Sequence, residues 1–479
     1  MSQKPETQAF RRTKIVATLG PASSSEETLA AMIRAGLDVA RINFSHGSSD
    51  EHRQRIELVR RLSADARKPV AVMIDLPGPK IRALIPEAIT LVTGQLVHFA
   101  LRDDAEAAIG TTLPEALMDV RPGERILLDD GRILLNAQEN DGRRLSAVVQ
   151  IGGQLKPRKG INLPDTKLSI PTLTADDQRA LDCAVEYGAD WVALSFVRDS
   201  SAALTVRNAL AARGAAIPVI AKIERPEAVE NIDAIVAAFD GIMVARGDLG
   251  VEMPLEDVPR IQKLLITAAR VRGKPVITAT EMLESMKENP RPTRAEAGDV
   301  ANAILDGTDA VMLSVETAAG RYPVEAVQYM ARIALATDRR LGERFTNTVS
   351  LQAGRVIDSI THAACVLADT IDARAVVIAS RTGRTVRLTA RHRPQQLIVA
   401  ATNSVQTLNQ LALVWGVYPL AMPELAADDD RLERATARVH EAAIIPRDAR
   451  MVLVAEHPVM GREATPTLRV TGLREDEIT

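Results

Sequence analysis

The feature that most constrains the fold is a repeated alternation of short apolar runs with amphipathic helix patterns. Eight runs rich in β-branched residues occur, and helical periodicity separates most of them. Runs of this kind are typical of strands buried on both faces of a parallel sheet. The runs are 14–20, 39–44, 70–76, 191–197, 218–224, 241–247, 275–281 and 310–316.

About eight strand–helix units is the number that closes an α/β barrel, so the pattern predicts a (β/α)8 TIM barrel. The structural alternative is a doubly wound open sheet, which has the same alternation. The pattern at 24–36 illustrates one helical unit. It starts with Ser and Glu, places Leu29, Met32 and Ile33 on one face, and stops at Gly36.

The alternation is interrupted twice. Between residues 76 and 174, Pro, Gly and Asp separate short alternating runs, which predicts a small antiparallel β domain with a hairpin turn at 129–131. An insertion after a barrel strand lies above the active-site face, where it can act as a lid. After residue 346, new strand and helix patterns predict a C-terminal α/β domain. The predicted division is barrel, first part, 1–78; inserted β lid domain, 79–166; barrel, second part, 167–346; and C-terminal α/β regulatory domain, 347–479.

Composition excludes several classes of function. A net charge of −3 and an aromatic content of 3% argue against a nucleic-acid partner. The polar N-terminal segment has no signal-peptide pattern and no apolar run is long enough to span a membrane, so we expect a cytoplasmic protein without a membrane partner. Cys183 and Cys365 match no ligand or redox spacing and are predicted to be buried thiols.

Polar and charged side chains stand repeatedly at the ends of the predicted strands. Functional residues of a barrel gather at the C-terminal ends of its strands. One such residue alone is better explained as a solvated strand end or an ion pair. Many at one face predict an active site, and the set is Arg41, Asn43, Ser45, His46, Asp75, Lys222, Glu224, Arg246, Asp248, Thr280, Glu281, Ser314 and Glu316.

Glu224 and Asp248 are carboxylates at the ends of neighbouring predicted strands. Two hard oxygen ligands, completed by water and substrate, suit Mg²⁺ or Mn²⁺. Zinc is disfavoured because no His/Cys cluster is nearby. The alternative is that these two carboxylates form ion pairs with Arg41 and Arg246.

Lys222 lies two residues before Glu224, so both side chains point to the same side of their strand. A lysine beside a metal can hold a phosphoryl group or stabilise an enolate. A Schiff-base lysine is the alternative, and the adjacent metal ligands favour the electrostatic role. The chain has no P-loop sequence.

Four segments resemble the pyruvate kinases: VARINFSHG (39–47), AKIERPEAVENIDAI (221–235), GIMVARGDLGVEMP (241–254) and the long segment 275–323. The resemblance extends over essentially the whole chain. It implies an enzyme that transfers the phosphoryl group of phosphoenolpyruvate to ADP, giving pyruvate and ATP. It also implies a homotetramer and a phosphorylated allosteric effector.

The resemblance also implies roles for single residues. Arg41 and Lys222 would bind the transferred phosphoryl group, and Glu224 and Asp248 would bind the metal. The N–H groups of Gly247 and Asp248 and the Thr280 hydroxyl would bind the substrate carboxylate, and Thr280 and Ser314 would deliver a proton. The nucleotide would be bound by Arg82, Asp130 and Lys159. The sugar-phosphate loop would be Ser380, Arg381, Thr382, Gly383, Arg384 and Thr385. The alternative is that these residues only cap the start of a helix and bind no ligand.

The third strand departs from the commonest family pattern. Asn43, Ser45 and Asp75 of the monovalent-cation region are present, but Leu76 and Lys80 stand where potassium-dependent members have a polar residue and Glu. The chain resembles the potassium-independent members at these positions. We therefore expect that K⁺ is not required.

Two other functions stay open at this point. One is another phosphoenolpyruvate/pyruvate enolate enzyme, such as a mutase or a metal-dependent aldolase, and Asp130 and Lys159 of the predicted lid argue against it. The other is a catalytically silent paralogue that senses sugar phosphates. The residues whose joint presence argues against that function are Lys222, Glu224, Asp248 and Thr280.

Overall fold

Eight parallel strands form a closed barrel in the computed structural model, which describes residues 10–101, 109–341, 355–423, 431–459 and 462–472. Each strand pairs with its neighbours in chain order, and the first pairs with the last. The prediction of a barrel is therefore confirmed against the open sheet. The strands are Lys14–Leu19 (β1), Val39–Asn43 (β2), Ala71–Asp75 (β3), Trp191–Leu194 (β4), Val219–Ile223 (β5), Gly241–Ala245 (β6), Val276–Ala279 (β7) and Ala310–Leu313 (β8).

Several predicted runs extend past the observed strands. The run 241–247 ends as a strand at Ala245, and the helix Arg246–Glu252 begins directly after it. The run 310–316 likewise ends at Leu313, before the short helix Val315–Ala318. The polar residues at these positions therefore lie on turns above the barrel and not on the strands themselves.

Helices surround the barrel on its outer side. The helix Glu26–Ala35 starts where Ser25 Oγ accepts a hydrogen bond from the Thr28 N–H, and it ends at Gly36 with φ of 123°. Its buried face is Leu29, Met32 and Ile33, as the periodicity predicted. The other helices of this part are Ser49–Asp65, Ala175–Glu186, Ser201–Ala211, Pro226–Glu230, Ile232–Ala238, Arg246–Glu252, Val258–Val271, Arg294–Asp306, Val315–Ala318 and Pro323–Asp338, with 3-10 turns at Pro21–Ser23, Leu255–Asp257 and Glu284–Lys287.

The interior of the barrel is a separate packed core, with Met73, Trp191 and Met243 among its fully buried side chains. Ala412 and Leu413 of the C-terminal part belong to this same core. The indole N–H of Trp191, the first residue of β4, donates to the Gln410 carbonyl, so the C-terminal part packs against the N-terminal ends of the strands and leaves the opposite end to the inserted domain.

The insertion after β3 forms antiparallel sheets with their own apolar core, which confirms the predicted small β domain. The turn at Asp129 and Asp130 has left-handed φ values of 51° and 57° and joins the strands of the predicted hairpin. The strands are Ala83–Leu84, Ile89–Leu91, Leu96–Ala100, Gly110–Thr111, Arg125–Leu128, Ile133–Asn140, Arg144–Ile151, Gly153–Leu155 and Ile161–Asn162, and one helix is Pro114–Met118.

The C-terminal α/β part is a five-stranded sheet with apolar cores on both faces. Its strands, in spatial order, are Val417–Ala421, Leu397–Thr402, Ala375–Ala379, Met451–Val459 and Arg462–Thr471, and only the last is antiparallel. Its helices are Val356–Thr370, Arg384–Ala390, Val405–Gln410 and Arg431–Glu441, with a 3-10 turn at Leu411–Leu413.

The residue at which each predicted domain begins or ends stays a prediction, and the boundary at 346 lies outside the described residues. Among the helices of the described ranges, none combines the length and the apolar character needed to cross a membrane.

Candidate active site

Four buried charged side chains form an alternating cluster at the C-terminal ends of β2, β3 and β5. Arg41 Nη2 lies 2.6 Å from Asp75 Oδ2. Lys222 Nζ lies 2.8 Å from Glu224 Oε1 and 3.3 Å from Asp75 Oδ1. All four side chains are buried, with at most 9% of each residue exposed. The structure thus brings together residues that lie far apart in the sequence.

The neighbours of Lys222 keep its side chain charged. Burial disfavours the ammonium form, but the carboxylates of Asp75 and Glu224 outweigh it and raise the pKa of Lys222 above its ordinary value. Burial would also raise the pKa of Asp75, yet Lys222 and Arg41 lower it. A Schiff-base lysine must lose its proton to act as a nucleophile, so this environment argues against that role and for an electrostatic one.

Glu224 and Asp248 follow the neighbouring strands β5 and β6, and they are close enough for their charges to interact. Glu224 is almost fully buried, and its Oε2 accepts a hydrogen bond of 2.8 Å from the Phe196 N–H. Burial and the negative charge of Asp248 raise the pKa of Glu224, while Lys222 lowers it. The alternative was that Glu224 and Asp248 form ion pairs with Arg41 and Arg246. Arg41 pairs instead with Asp75, and Arg246 pairs with Asp299.

The donor set at Glu224 and Asp248 fits a divalent cation. Two carboxylates that repel each other at a buried site would be stabilised by a cation between them. No group of three or more His, Cys, Asp or Glu side chains with metal-site geometry is found in the part of the chain that the structure describes. Two protein carboxylates, with water and substrate as the other ligands, are a common environment for Mg²⁺.

The turn after β7 holds strained backbone above the barrel. Thr280 and Glu281 have φ values of 65° and 52°, a left-handed conformation that is rare for a β-branched residue. Arg246 stabilises this turn, because its Nη2 donates to the Thr280 carbonyl at 2.7 Å while its Nη1 pairs with Asp299. Arg246 therefore shapes the site through the backbone.

The predicted carboxylate-binding groups meet at this turn. The Gly247 N–H donates to Thr280 Oγ1 at 2.7 Å, so these two groups lie side by side.

Ser314 follows β8, and its N–H donates to Glu316 Oε2 at 2.7 Å. Glu316 is fully buried and also accepts from the Leu283 N–H at 3.1 Å, which ties the turns after β7 and β8 together.

The predicted nucleotide-binding residues line one pocket between the inserted domain and the barrel. The pocket has a volume of about 210 Å³, and Arg82, Asp130 and Lys159 line it from the inserted domain. Asp248 lines it from the barrel side. Lys159 forms its ion pair of 2.6 Å with Asp129, beside Asp130. The structure therefore places these residues next to one of the candidate metal ligands.

Sequence reasoning missed a group that joins the inserted domain to the barrel. Arg225 Nη2 donates to the carbonyls of Leu163 and Thr166 at 3.1 and 3.2 Å. Arg225 Nη1 also lies 3.4 Å from Glu252, which accepts a 2.8 Å hydrogen bond from the Asn162 side chain. We call Arg225, Glu252 and Asn162 the lid latch. Its one sequence signal was the position of Arg225 directly after Glu224.

Residues of the predicted monovalent-cation region lie beside the cluster. The Asn43 side chain accepts a hydrogen bond of 3.1 Å from the Ser45 N–H, and Asp75 is held by Arg41 and Lys222. Lys80 is exposed at the start of the insertion and lines the lid pocket.

A second group that sequence reasoning did not assign is Ser195, whose hydroxyl accepts a hydrogen bond from Lys222 at 2.8 Å.

The loop predicted to bind an effector lies at the other end of the barrel. Ser380 Oγ accepts from the Gly383 N–H at 3.0 Å, and Thr385 is buried. Arg381, Thr382 and Arg384 line a cavity between the barrel and the C-terminal sheet. The helix Arg384–Ala390 has seven residues, so an anion here would depend on side chains more than on the helix N terminus.

Comparison with known proteins identifies the family. The chain matches the pyruvate kinase barrel-domain model over residues 10–327 and the pyruvate kinase alpha/beta-domain model over residues 358–471. It is 43% identical to a pyruvate kinase of Geobacillus stearothermophilus over 96% of this chain and 80% of that protein. It is 41% identical to a pyruvate kinase of Mycobacterium tuberculosis over 98% of this chain and the whole of that protein. The chain therefore belongs to the pyruvate kinase family.

Proposed function

We propose that the cluster of Arg41, Asp75, Lys222 and Glu224 is the centre at which this chain transfers the phosphoryl group of phosphoenolpyruvate to ADP, giving pyruvate and ATP. The observation that carries the proposal is the buried Lys222 ammonium, held at 2.8 Å from Glu224 and next to Arg41 and Asp75. Phosphoryl transfer depends on positioning and charge stabilisation more than on covalent chemistry. Fixed buried cations provide that stabilisation.

Glu224 and Asp248 are the proposed ligands of Mg²⁺ or Mn²⁺. When bound, such an ion supplies positive charge for the phosphoryl oxygens and for a developing enolate. Arg41 and Lys222 hold the transferred group on the barrel side. The Gly247 and Asp248 N–H groups and the Thr280 hydroxyl orient the substrate carboxylate, and Thr280 and Ser314 belong to the network that brings a proton to the enolate carbon.

Arg82, Asp130 and Lys159 are proposed to bind the nucleotide, with its metal, in the lid pocket. The pocket lies between the inserted domain and Asp248, so a nucleotide there would reach the barrel mouth. This arrangement disfavours a mutase or an aldolase, since those reactions need no nucleotide. The intact charged cluster disfavours a silent paralogue.

A coupled assay with lactate dehydrogenase tests the proposal directly. We expect pyruvate formation from phosphoenolpyruvate in the presence of ADP and a divalent cation, and none when ADP is omitted. Pyruvate formation without ADP would indicate a different enolate enzyme. No turnover with any nucleoside diphosphate would support the silent paralogue instead.

We also propose that this chain is a cytoplasmic homotetramer. Its activity needs no K⁺, and a phosphorylated effector regulates it by binding at the loop 380–385. The positive charge of Lys80 supports the potassium proposal. Partial burial lowers the pKa of His46, and the charges of Lys80, Arg82 and Arg41 lower it further, so the field of Lys80 reaches the neighbourhood of Ser45. Light scattering of the purified protein tests the tetramer.

A further inference from the structure

Ser195 lies directly after β4, beside the charged cluster, and is 2% exposed. Its hydroxyl oxygen lies 2.8 Å from Lys222 Nζ and 2.7 Å from the Leu76 carbonyl oxygen. Both distances are within the normal hydrogen-bond range, so this buried hydroxyl has a partner on each side. The chemistry proposed above assigns no role to it.

The chemistry of the three groups fixes the direction of both hydrogen bonds. An ammonium group can only donate, and a carbonyl oxygen can only accept. The Ser195 oxygen must therefore accept from Lys222, and its single proton must go to the Leu76 carbonyl. No other orientation of the hydroxyl satisfies both partners, so a lone pair of Ser195 is held toward Lys222.

The Lys222 ammonium has three N–H donors, and two of them have short contacts. One contact is with Glu224 Oε1 at 2.8 Å, and the other is with Ser195 Oγ at 2.8 Å. The third N–H is left with the longer contact of 3.3 Å to Asp75 Oδ1. Because the three N–H bonds are arranged tetrahedrally, fixing two of them fixes the direction of the third. The third N–H is therefore the donor that a substrate oxygen can take most easily.

The backbone beside Ser195 holds Glu224 in the same way. Phe196 donates its N–H to Glu224 Oε2 at 2.8 Å. Phe196 has a left-handed φ of 54°, which is uncommon for a bulky residue and costs free energy. Such strain persists only where surrounding contacts hold it. The two residues after β4 thus contact Lys222 through a side chain and Glu224 through the backbone.

The inserted domain begins next to these two residues. Leu76 follows β3 at the entry to that domain, and its N–H donates to the Ala193 carbonyl at 2.9 Å. Gly78 has φ of 68°, and a Cβ atom at this position would lie 2.7 Å from Ser195 Cβ. The Gly78 N–H donates to the buried Asp177 carboxylate at 2.9 Å. The entry to the inserted domain is therefore fixed in direct contact with Ser195.

We propose that Ser195 is a positioning residue for phosphoryl transfer: its hydroxyl, oriented by the Leu76 carbonyl, directs the Lys222 ammonium toward the transferred group. In this role Ser195 touches no reacting atom and acts through Lys222. The inference rests on the proposed phosphoryl-transfer function and deepens it, because it names the group that sets the direction of the stabilising charge. It also links the entry of the inserted domain to that charge through one side chain.

A double-mutant cycle tests whether Ser195 acts through Lys222. Ser195→Ala and Lys222→Met would be made singly and together, and kcat and KM would be measured with the coupled assay. Ser195→Ala should lower kcat about tenfold or more, the loss typical of a hydrogen bond to a charged group. The KM for phosphoenolpyruvate should change about threefold or less. In the Lys222→Met background, Ser195→Ala should lower kcat less than about twofold, because no ammonium is left to direct.

Two further variants separate this role from a contribution to stability. Thr308→Val removes a buried hydroxyl that contacts the Val276 and Ala310 carbonyls at the N-terminal end of the barrel strands. This control should lower the melting temperature and leave kcat unchanged. Ser195→Cys keeps a side chain of similar shape whose sulfur is only a weak acceptor. It takes the place of Ser195→Ala in the cycle if the alanine variant does not fold.

Two results would overturn the inference. One is a folded Ser195→Ala variant that keeps more than about half of wild-type kcat. The other is an equal loss of kcat from Ser195→Ala in the wild-type and Lys222→Met backgrounds, which would mean that Ser195 acts on the fold and not through Lys222. A wild-type chain that is inactive with phosphoenolpyruvate and ADP would contradict the proposed function itself, so the two failures are distinguishable.

Discussion

Lys222 is the residue on which the proposed chemistry depends most. Its ammonium contacts Glu224, Asp75 and the Ser195 hydroxyl, and Lys222→Met removes the charge while keeping most of the apolar stem. We expect kcat to fall by about 10²–10³-fold or more, because a fixed charge in a water-poor site is lost. A variant that keeps its fold and more than about a tenth of wild-type kcat would contradict this role.

Glu224 and Asp248 differ in burial but share a proposed role. Glu224→Gln or Asp248→Asn each removes one charged oxygen ligand, so the Mg²⁺ concentration for half-maximal activity should rise steeply. Titration of activity with Mg²⁺ measures this. Asp182→Asn, which alters an exposed partner of Arg213 on the outer helices, is the control. Unchanged half-saturation in both ligand variants would place the metal elsewhere.

Lys80 carries the prediction about potassium. Two positive charges about 4 Å apart repel by roughly 4 kcal/mol at an effective dielectric near 20, so an ammonium and a K⁺ exclude each other at that distance. We expect activity in tetramethylammonium buffer to rise less than tenfold on addition of K⁺. Lys80→Glu should lower the activity without K⁺ and make it partly recoverable with K⁺. A larger stimulation of the wild type would mean that the exposed Lys80 points to solvent and the ion still binds.

At the scale of single elements, the site is built from turns that the barrel strands hold at fixed positions. Arg246 supports the left-handed Thr280 backbone, and Glu316 ties the turns after β7 and β8 together. The strain at Thr280 persists because these contacts hold it. The helices contribute position, since Asp248 lies in the first turn of a helix that begins where β6 ends.

The lid latch predicts an effect on nucleotide binding. Asn162→Ala removes the hydrogen bond from the inserted domain to Glu252, and Arg225→Gln removes charge-assisted bonds to two carbonyls. Each bond to a charged group contributes about 1.5–3 kcal/mol, so we expect the KM for ADP to rise about tenfold or more, and the KM for phosphoenolpyruvate to rise less. Arg61→Gln, whose partner Glu26 is exposed on an outer helix of the barrel, is the matched control. Equal increases in both KM values would mean that the latch only stabilises the fold.

At the scale of the whole molecule, the barrel and the C-terminal part share buried contacts. Asp309, directly before β8, pairs with Arg393 at 3.1 Å and accepts hydrogen bonds from the N–H groups of Val276 and Trp415. The Arg393 guanidinium also lies 4.7 Å from the centre of the Trp415 ring. Asp309 therefore joins the two parts of the chain, because its partners belong to both.

His392, near this junction, predicts a loss of stability in acid. Burial first, and then the positive charges of Arg391, His362 and Arg270, lower the pKa of His392 to about 3. The unfolded state therefore binds a proton between about pH 6.5 and pH 3 that the folded state does not, so stability falls as the pH falls through that range. The loss should reach about 2 kcal/mol at pH 5.

Melting temperatures between pH 7.5 and pH 5 check this prediction. His392→Gln should reduce the pH dependence, whereas His98→Gln in the inserted domain should retain it. A wild-type protein whose melting temperature is the same at both pH values would contradict the assignment.

The barrel and many residues of its active-site face could be predicted from the sequence because their signals are local. Apolar runs alternate with helical periodicity, and Lys222 and Glu224 stand two residues apart on one strand, so their common direction follows from strand geometry. The family motifs around Arg41, Asp248 and Thr280 are also contiguous in the chain. Such features can be recognised in the sequence without knowing which distant residues are in contact.

Only the tertiary structure decided which partners these residues have. The structure pairs Arg41 with Asp75, and it pairs Arg246 with Asp299 and the Thr280 carbonyl. From the sequence, either arginine was an equally good ion-pair partner for Glu224 or Asp248. The lid latch also joins segments that are remote along the chain. Coulomb and hydrogen-bond energies depend on distances of a few ångströms, and closing the barrel sets those distances between residues whose separation in sequence carries no signal of contact.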